Sequence, residues 1–239
     1  MISVPWQAAL DAVIHHPLFG VAITLAAFQL AYAAYERTRW VFLQPVLVSM
    51  LVVIGILLLC GIGYEEYRGS AQLLTVLLGP ATVALAVPLY LNLRRIRELF
   101  GPIMLTLLIA GSAATALGMA LAWAFGTQPM MLMTLAPKSV TSPIAMLVAD
   151  QIGGIVALAA VFVMITGILG AIIGPELLRR FGVQHPAARG MALGLTAHAV
   201  GTSQALQEGD ECGAFAALAM SLMGVLTAVL LPLAVLLLS

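Results

Sequence analysis

Ala136-Pro137-Lys138-Ser139-Val140-Thr141-Ser142-Pro143-Ile144-Ala145-Met146 sets a lysine between two prolines in a chain that is otherwise almost entirely apolar. Lys138 is the only basic residue between Arg97 and Arg179, and the stretches on either side are long enough to lie in a bilayer. A cation at the bilayer centre costs about 2.5–3.5 kcal/mol on insertion scales. Pro137 and Pro143 remove two backbone donors and interrupt a regular helix. Lipid does not accept exposed irregular backbone, so the segment must pack inside protein or line a cavity. Chains carry such features mainly where an ion or substrate passes. The stretch therefore predicts an integral membrane protein with an anion-handling site.

Composition agrees. Of 239 residues, 62% are hydrophobic and 8% charged, against about 25% charged in ordinary soluble domains. The net charge of zero leaves no nucleic-acid footprint. Cys60 and Cys212 lie in or beside apolar runs and read as packing residues, with neither a disulfide framework nor metal-ligand spacing. Met1–Trp6 lacks the basic stretch of a secretory leader, so the first apolar run reads as a retained span. No catalytic constellation, phosphate loop, cofactor motif or metal set is evident, and the chain is not expected to be an enzyme.

A crossing helix needs about 20 apolar residues. The spans read from the sequence are Leu18–Tyr35, Pro45–Ile62, Leu73–Leu91, Ile103–Phe125, Ile152–Leu178, Ala192–Leu206 and Ala214–Leu238. Met130–Ala149, with the lysine motif, is an eighth apolar segment. The fold class is all-α and polytopic, with seven to eight transmembrane segments, broken or re-entrant helices and an internal repeat. The basic loops at Glu36–Arg39, Arg94–Arg97 and Arg179–Arg189 belong in the cytoplasm by the positive-inside rule. That assignment predicts that Met130–Ala149 enters and returns on one side. It also puts the N-terminus and the acidic loop Glu208–Glu211 outside, gives seven full crossings, and leaves the C-terminus cytoplasmic.

Three interrupted segments carry the candidate chemistry: Leu78–Tyr90, the lysine motif and Gly194–Ala205. Gly79-Pro80-Ala81-Thr82-Val83 echoes Ala136-Pro137-Lys138-Ser139-Val140, and Pro88 and Pro143 follow. Paired interruptions in two halves of a chain, here 17–125 and 129–238 of one domain, point to a transporter binding site. A helix break frees N–H groups at a positive dipole end, where anions bind. The candidate substrate-binding residues are Pro80, Thr82, Lys138, Ser139, Thr141, Ser142, His198, Gly201, Thr202, Ser203 and Gln204. Against each stands a plainer reading. Membrane Ser and Thr usually bond their own backbone or a neighbouring helix, a proline can be a simple kink, and a lone histidine can be a satisfied core group. Equally, His198 has a reference pKa suited to carrying a coupled proton. Asp150 and Gln151 are expected to cap the following helix. Gly167, Gly170 and Gly174 mark a close-packing helix face.

Gly79–Tyr90 and Ala136–Met146, in that order, resemble the LrgB/CidB family of bacterial membrane proteins over nearly the whole chain. In the third motif, His198, Gly201, Thr202 and Ala205 match the family pattern, whereas Gln204 stands where it has arginine. The resemblance implies a protein of the bacterial inner membrane with one of two functions. One is carriage of small monocarboxylates such as pyruvate, or glycolate as in the related plastid carrier, with a proton or sodium ion coupled. The other is a holin- or antiholin-like role that modulates murein hydrolase activity and lysis. It also implies a small membrane partner of the LrgA/CidA type, and homo-oligomers are expected.

Overall fold

The computed structural model describes residues 12–38, 40 and 43–238, helical and without strands among them. The chain falls into two compact units, Met1–Ala84 and Leu85–Ser239. This boundary differs from the 125/129 division of the sequence halves. Among the described residues five helices are long and apolar enough to cross a membrane: Phe19–Thr38, Gln72–Leu91, Phe100–Ala124, Val156–Arg180 and Asp210–Leu237. Pro45–Cys60 and Tyr64–Ser70, bent by 116°, make a sixth if they form one broken span.

The first unit contains α1 (Phe19–Thr38), α2 (Pro45–Cys60), α3 (Tyr64–Ser70) and α4 (Gln72–Ala84). Gln44 caps α2 by accepting the Leu47 N–H at 2.7 Å, Pro45 supplies a preset first turn, and Gly61 at φ 67 ends the helix. The Gly20 N–H donates to Ser70 Oγ at 3.1 Å, and Thr24 Oγ1 lies 2.9 Å from the Tyr67 hydroxyl, which ties α1 to α3. Pro80 sits inside α4, which continues to Ala84. The break expected at Gly79-Pro80 is therefore absent, and the backbone at Thr82 is ordinary helix. Membrane helices tolerate an internal proline because neighbouring groups can satisfy the freed carbonyl. The side chain of Thr82 lies outside the described residues.

The second unit contains α5 (Ala86–Leu91), α6 (Leu93–Glu98), α7 (Phe100–Ala124), α8 (Pro129–Leu135), α9 (Ser142–Gln151), α10 (Val156–Arg180), α11 (Pro186–Glu208) and α12 (Asp210–Leu238). At 7 and 10 residues, α8 and α9 are about 10 and 15 Å long, too short to cross a hydrocarbon core of about 30 Å. They form a hairpin. Lys138 at its tip lies against Ala114 and Gly118 of α7, and Ile144 in the return limb packs on Gly224 of α12. The Ile155 N–H then donates to Thr134 Oγ1 at 2.8 Å, which brings the start of α10 back to α8. Met130–Ala149 is thus re-entrant, as the loop charges predict. Asp150 and Gln151 are the exposed last residues of α9, where Gly153 at φ 79 stops the helix, and Ile155 occupies the N-cap of α10. The expected capping role is not theirs.

Pro186–Glu208 is the larger departure. Arg189 Nε lies 2.7 Å from Glu208 Oε2, although a straight helix would separate residues 19 apart by about 28 Å. The chain reverses at His198, whose φ of 41° and ψ of −127° are non-helical. The approach limb, 186–197, runs parallel to α12, with Gly190 against the Cys212 carbonyl and Gly194 against that of Ala216. The return limb, 199–208, runs back beside it, with Gly201 against the Leu193 carbonyl and Leu206 against Gly213. Ala192–Leu206 is therefore a second hairpin and not a crossing. Both its ends sit with the basic residues: Arg95 pairs with Glu211 at 3.0 Å and bonds His185 Nε2 at 3.0 Å. This corrects one expectation: the acidic turn Glu208–Glu211 shares the face of Arg95 and Arg189, and among the described residues Ala192–Leu206 is not one of the five or six helices long and apolar enough to cross. The physical reason is that Glu208 and Glu211 meet arginine partners on that face, which loop-by-loop charge counting cannot register.

The second unit thus repeats one plan twice with opposite entry: hairpin 129–151 followed by α10, then hairpin 186–208 followed by α12. The structural counterpart of the lysine hairpin is the His198 hairpin, not Gly79–Val83. With Cys60 and Cys212 replaced, a cysteine at Gln207 should react with an impermeant maleimide from the face that labels one at Arg180. A tag after Ser239 should be reached from the other face. Labelling of position 207 from the tag's face would refute the second hairpin.

Candidate functional site

Both hairpin tips lie in the interior of the second unit, where Val140 and His198 are buried. Ala114 lies about 21 Å from the Phe100 end of α7 and about 15 Å from the Ala124 end, so Lys138, whose Nζ donates to the Ala114 carbonyl at 3.2 Å, lies near mid-span. Gly118 makes room for it, since an added Cβ would lie 2.9 Å from Nζ. Lys138 is half-buried. Among the described residues no carboxylate lies within salt-bridge distance of it. A cation held at this depth by a single carbonyl is electrostatically incomplete and favours an anion.

Ser139 is 5% exposed in the same tip loop. Thr141 is the N-cap residue of α9 without a side-chain capping bond, and Ser142 is its first residue. The opening N–H groups of α9 therefore point toward the tip without intrahelical partners. His198 forms the tip of the second hairpin, with its Nε2 2.9 Å from the Val163 carbonyl of α10. Val140 of the first tip, Leu195 of the second and Val163 belong to one contiguous buried cluster with Phe215 and Met223. The remaining candidates have other places. The Thr202 hydroxyl donates to the His198 carbonyl at 2.8 Å, which satisfies a group freed by the break. Gly201 is buried where a Cβ would meet Leu193 and Ala197, so it allows the limbs to close. Ser203 is half-buried on the return limb. Gln204 is buried about 9 Å beyond the break, away from the tip. Pro80 and Thr82 belong to the first unit.

Sequence reasoning missed two features. The first is Thr134, fully buried, whose hydroxyl donates to the Met130 carbonyl at 2.8 Å and accepts from the Ile155 N–H. Isolated in an apolar run, it gave no signal of bonding 21 residues away. The second is a cavity of about 440 Å³ that runs from His185 on the basic face along Thr106, Ala110, Ala188 and Ala192 to Ala114, the anchor of Lys138. Its lining comes from α7, α11 and Phe215 of α12, distant in sequence, so no linear motif marks it.

The profile of the LrgB-like family matches residues 24–237. YwbG of Bacillus subtilis, an uncharacterized protein, is 38% identical over 208 residues, covering 86% of this chain and 91% of its own. YxaC of the same organism, also uncharacterized, is 35% identical over 215 residues, 90% of this chain and 94% of its own. A protein of Bacillus mycoides named antiholin-like protein LrgB is 28% identical over 217 residues, 90% and 94%. No solved structure matches.

Thr134→Val should leave the partly buried Ile155 N–H without its acceptor. The expected loss is about 1–3 kcal/mol of stability, read as a lower unfolding temperature in detergent, with Thr134→Ser close to wild type. Unchanged stability in Thr134→Val would remove this residue from the hairpin's support.

Proposed function

Because the chain belongs to the LrgB-like family, we propose that it is a multi-pass membrane carrier for small monocarboxylates such as pyruvate or glycolate, and not an enzyme. The observation that carries this reading is Lys138. It is a cation near mid-span, without a carboxylate partner among the described residues, at the tip of one of two hairpins of opposite entry. A bound carboxylate supplies the missing charge. Lys138 gives the main attraction, and the free N–H groups at the start of α9, with Ser139 and Thr141 beside them, supply hydrogen bonds and the positive end of the helix dipole. A single negative charge suits a site with one lysine.

Alternating access follows from the inverted plan. The cavity between α7 and the approach limb of α11 leads from the basic face to the lysine anchor. A second cavity, of about 530 Å³, runs along Ser112, Thr115 and Met119 of α7 toward Leu231 and Val235 of α12. Movement of the hairpins against α7 would close one route and open the other, with a proton or sodium ion coupled. The positive-inside rule puts the basic face in the cytoplasm of a bacterial inner membrane. Homo-oligomers and a small partner of the LrgA/CidA type complete the proposal.

The names of the Bacillus mycoides relative and its like favour a second reading, an antiholin-like pore or regulatory subunit that modulates murein hydrolases. That role requires no substrate site and predicts leakage of unrelated solutes, or no flux at all. Proteoliposomes separate the two. Wild type should take up labelled pyruvate or glycolate saturably, and Lys138→Ala should lose at least about tenfold in uptake, the effect of about 1.4 kcal/mol in binding. Saturating carboxylate should also raise the unfolding temperature of wild type, since a ligand that binds only the folded state stabilises it. Equal flux in both proteins would remove the lysine from the site. No flux in either, with the partner present, would end the carrier reading.

A further inference from the structure

His198 is 3% exposed, and its Nε2 lies 2.9 Å from the Val163 carbonyl. A carbonyl can only accept, so Nε2 carries the hydrogen and Nδ1 is left as a bare acceptor. Nδ1 is buried and has no hydrogen-bond partner among the described residues. Buried polar atoms are nearly always partnered, and an exception requires an explanation. The backbone here is held at φ 41° and ψ −127°, a conformation that non-glycine residues avoid. Gly167 closes on the ring, since an added Cβ would lie 2.6 Å from Cε1 and Nε2.

The surroundings are poor in charge. Helix α7 has no ionisable residue. In α10 these are Glu176, Arg179 and Arg180, near its basic end, and in α12 Asp210, Glu211 and Cys212, at its start. Asp150 lies at the far end of α9, and Arg189 and Glu208 at the base of α11 itself. Lys138 occupies the tip of the first hairpin, against Ala114 of α7. Among these elements, Lys138 and His198 are thus the two ionisable groups in the middle of the membrane.

We propose that His198 takes up the coupled proton at Nδ1, so that one proton and one carboxylate move together. This rests on the carrier reading above. The Nδ1 lone pair accepts a proton to give an imidazolium with N–H at both nitrogens. On the opposite face the same bond breaks and the proton leaves, with no other bond altered. A buried imidazolium without a counter-ion is strongly disfavoured, so the proton does not enter alone. A carboxylate bound at Lys138 favours the protonated ring, and the protonated ring favours the carboxylate by the same factor, because binding linkage is reciprocal. That coupling assigns the driving ion as a proton and not sodium, and it gives the unpartnered Nδ1 its use.

The test is pyruvate transport in sodium-free proteoliposomes under an imposed pH gradient, with counterflow at symmetrical pH measured alongside. Wild type should accumulate pyruvate about tenfold per unit of gradient, the ratio set by one proton per substrate. His198→Gln keeps an amide donor for the Val163 carbonyl but cannot be protonated. It should show no accumulation beyond its own level without a gradient. A second measurement needs no turnover. In nitrogen-15 spectra of wild type near about pH 6, close to the reference pKa of imidazole, saturating pyruvate should convert a histidine signal absent from His198→Gln to the imidazolium pattern. Gradient-driven accumulation by His198→Gln overturns the assignment. So does an imidazole that stays neutral with pyruvate bound, or sodium-free uptake that ignores pH and is restored only when a sodium gradient is imposed in a parallel arm. Wild-type counterflow without any response to pH overturns the proton assignment alone. No wild-type counterflow, with the small partner present, overturns the carrier reading and this inference together.

Discussion

A backbone N–H or C=O facing lipid without a partner is costly enough that only helices and protein-covered segments persist at that depth. The second unit breaks its helices twice in that region, at 136–141 and at His198. Each break survives because protein encloses it. The first tip lies against α7, and its base is fastened where the Thr134 hydroxyl takes the Ile155 N–H. The second is wrapped by α10 and α12, and the Thr202 hydroxyl satisfies the carbonyl of His198. Much else in the unit follows from the need to bury these two interruptions.

Small residues make that burial feasible. In a membrane there is little hydrophobic drive between helices, so close backbone approach has to supply the attraction. Gly190, Gly194 and Gly201 stand where a Cβ would strike a main-chain carbonyl, and Ala214, Ala216, Ala217 and Ala219 are almost fully buried opposite them. The approach limb, the return limb and the first turns of α12 thereby pack as one block. At its base the partly buried Arg189–Glu208 pair closes the hairpin, and Arg95 joins Glu211 and His185 to it. Exposed ion pairs contribute little by themselves. Here their weight is topological, because they hold both ends of the hairpin at one face.

The tips divide the electrostatics between them. Lys138 carries a permanent charge at one, held by a carbonyl and given room by Gly118. His198 carries a conditional charge at the other, with one ring nitrogen committed to Val163 and the second open. A fixed cation attracts an anion, and a switchable one can make that attraction depend on a proton. The two groups approach from opposite faces, as a site that must communicate with both sides requires.

The membrane class, the long helices and the lysine hairpin were all legible in the sequence, because each depends on local chemistry. Apolar length fixes a span, and Pro137, Lys138 and Pro143 announce an interruption within eleven residues. The second hairpin was legible only as a warning. Ala192–Leu206 is short for a crossing, yet no proline marks its reversal, and a histidine takes the positive φ where glycine would be expected. The Pro80 motif erred the other way, since it looks like a break and remains helix. The sequence by itself therefore determined that the chain lives in a bilayer and holds one unpaired cation among helix breaks. Only the tertiary structure decided that His198 forms the tip of a second hairpin, of opposite entry. The contacts responsible, Arg189 with Glu208, Gly194 with Ala216 and His198 with Val163, join residues 19 to 35 positions apart, and hydrophobic periodicity carries no record of such pairings.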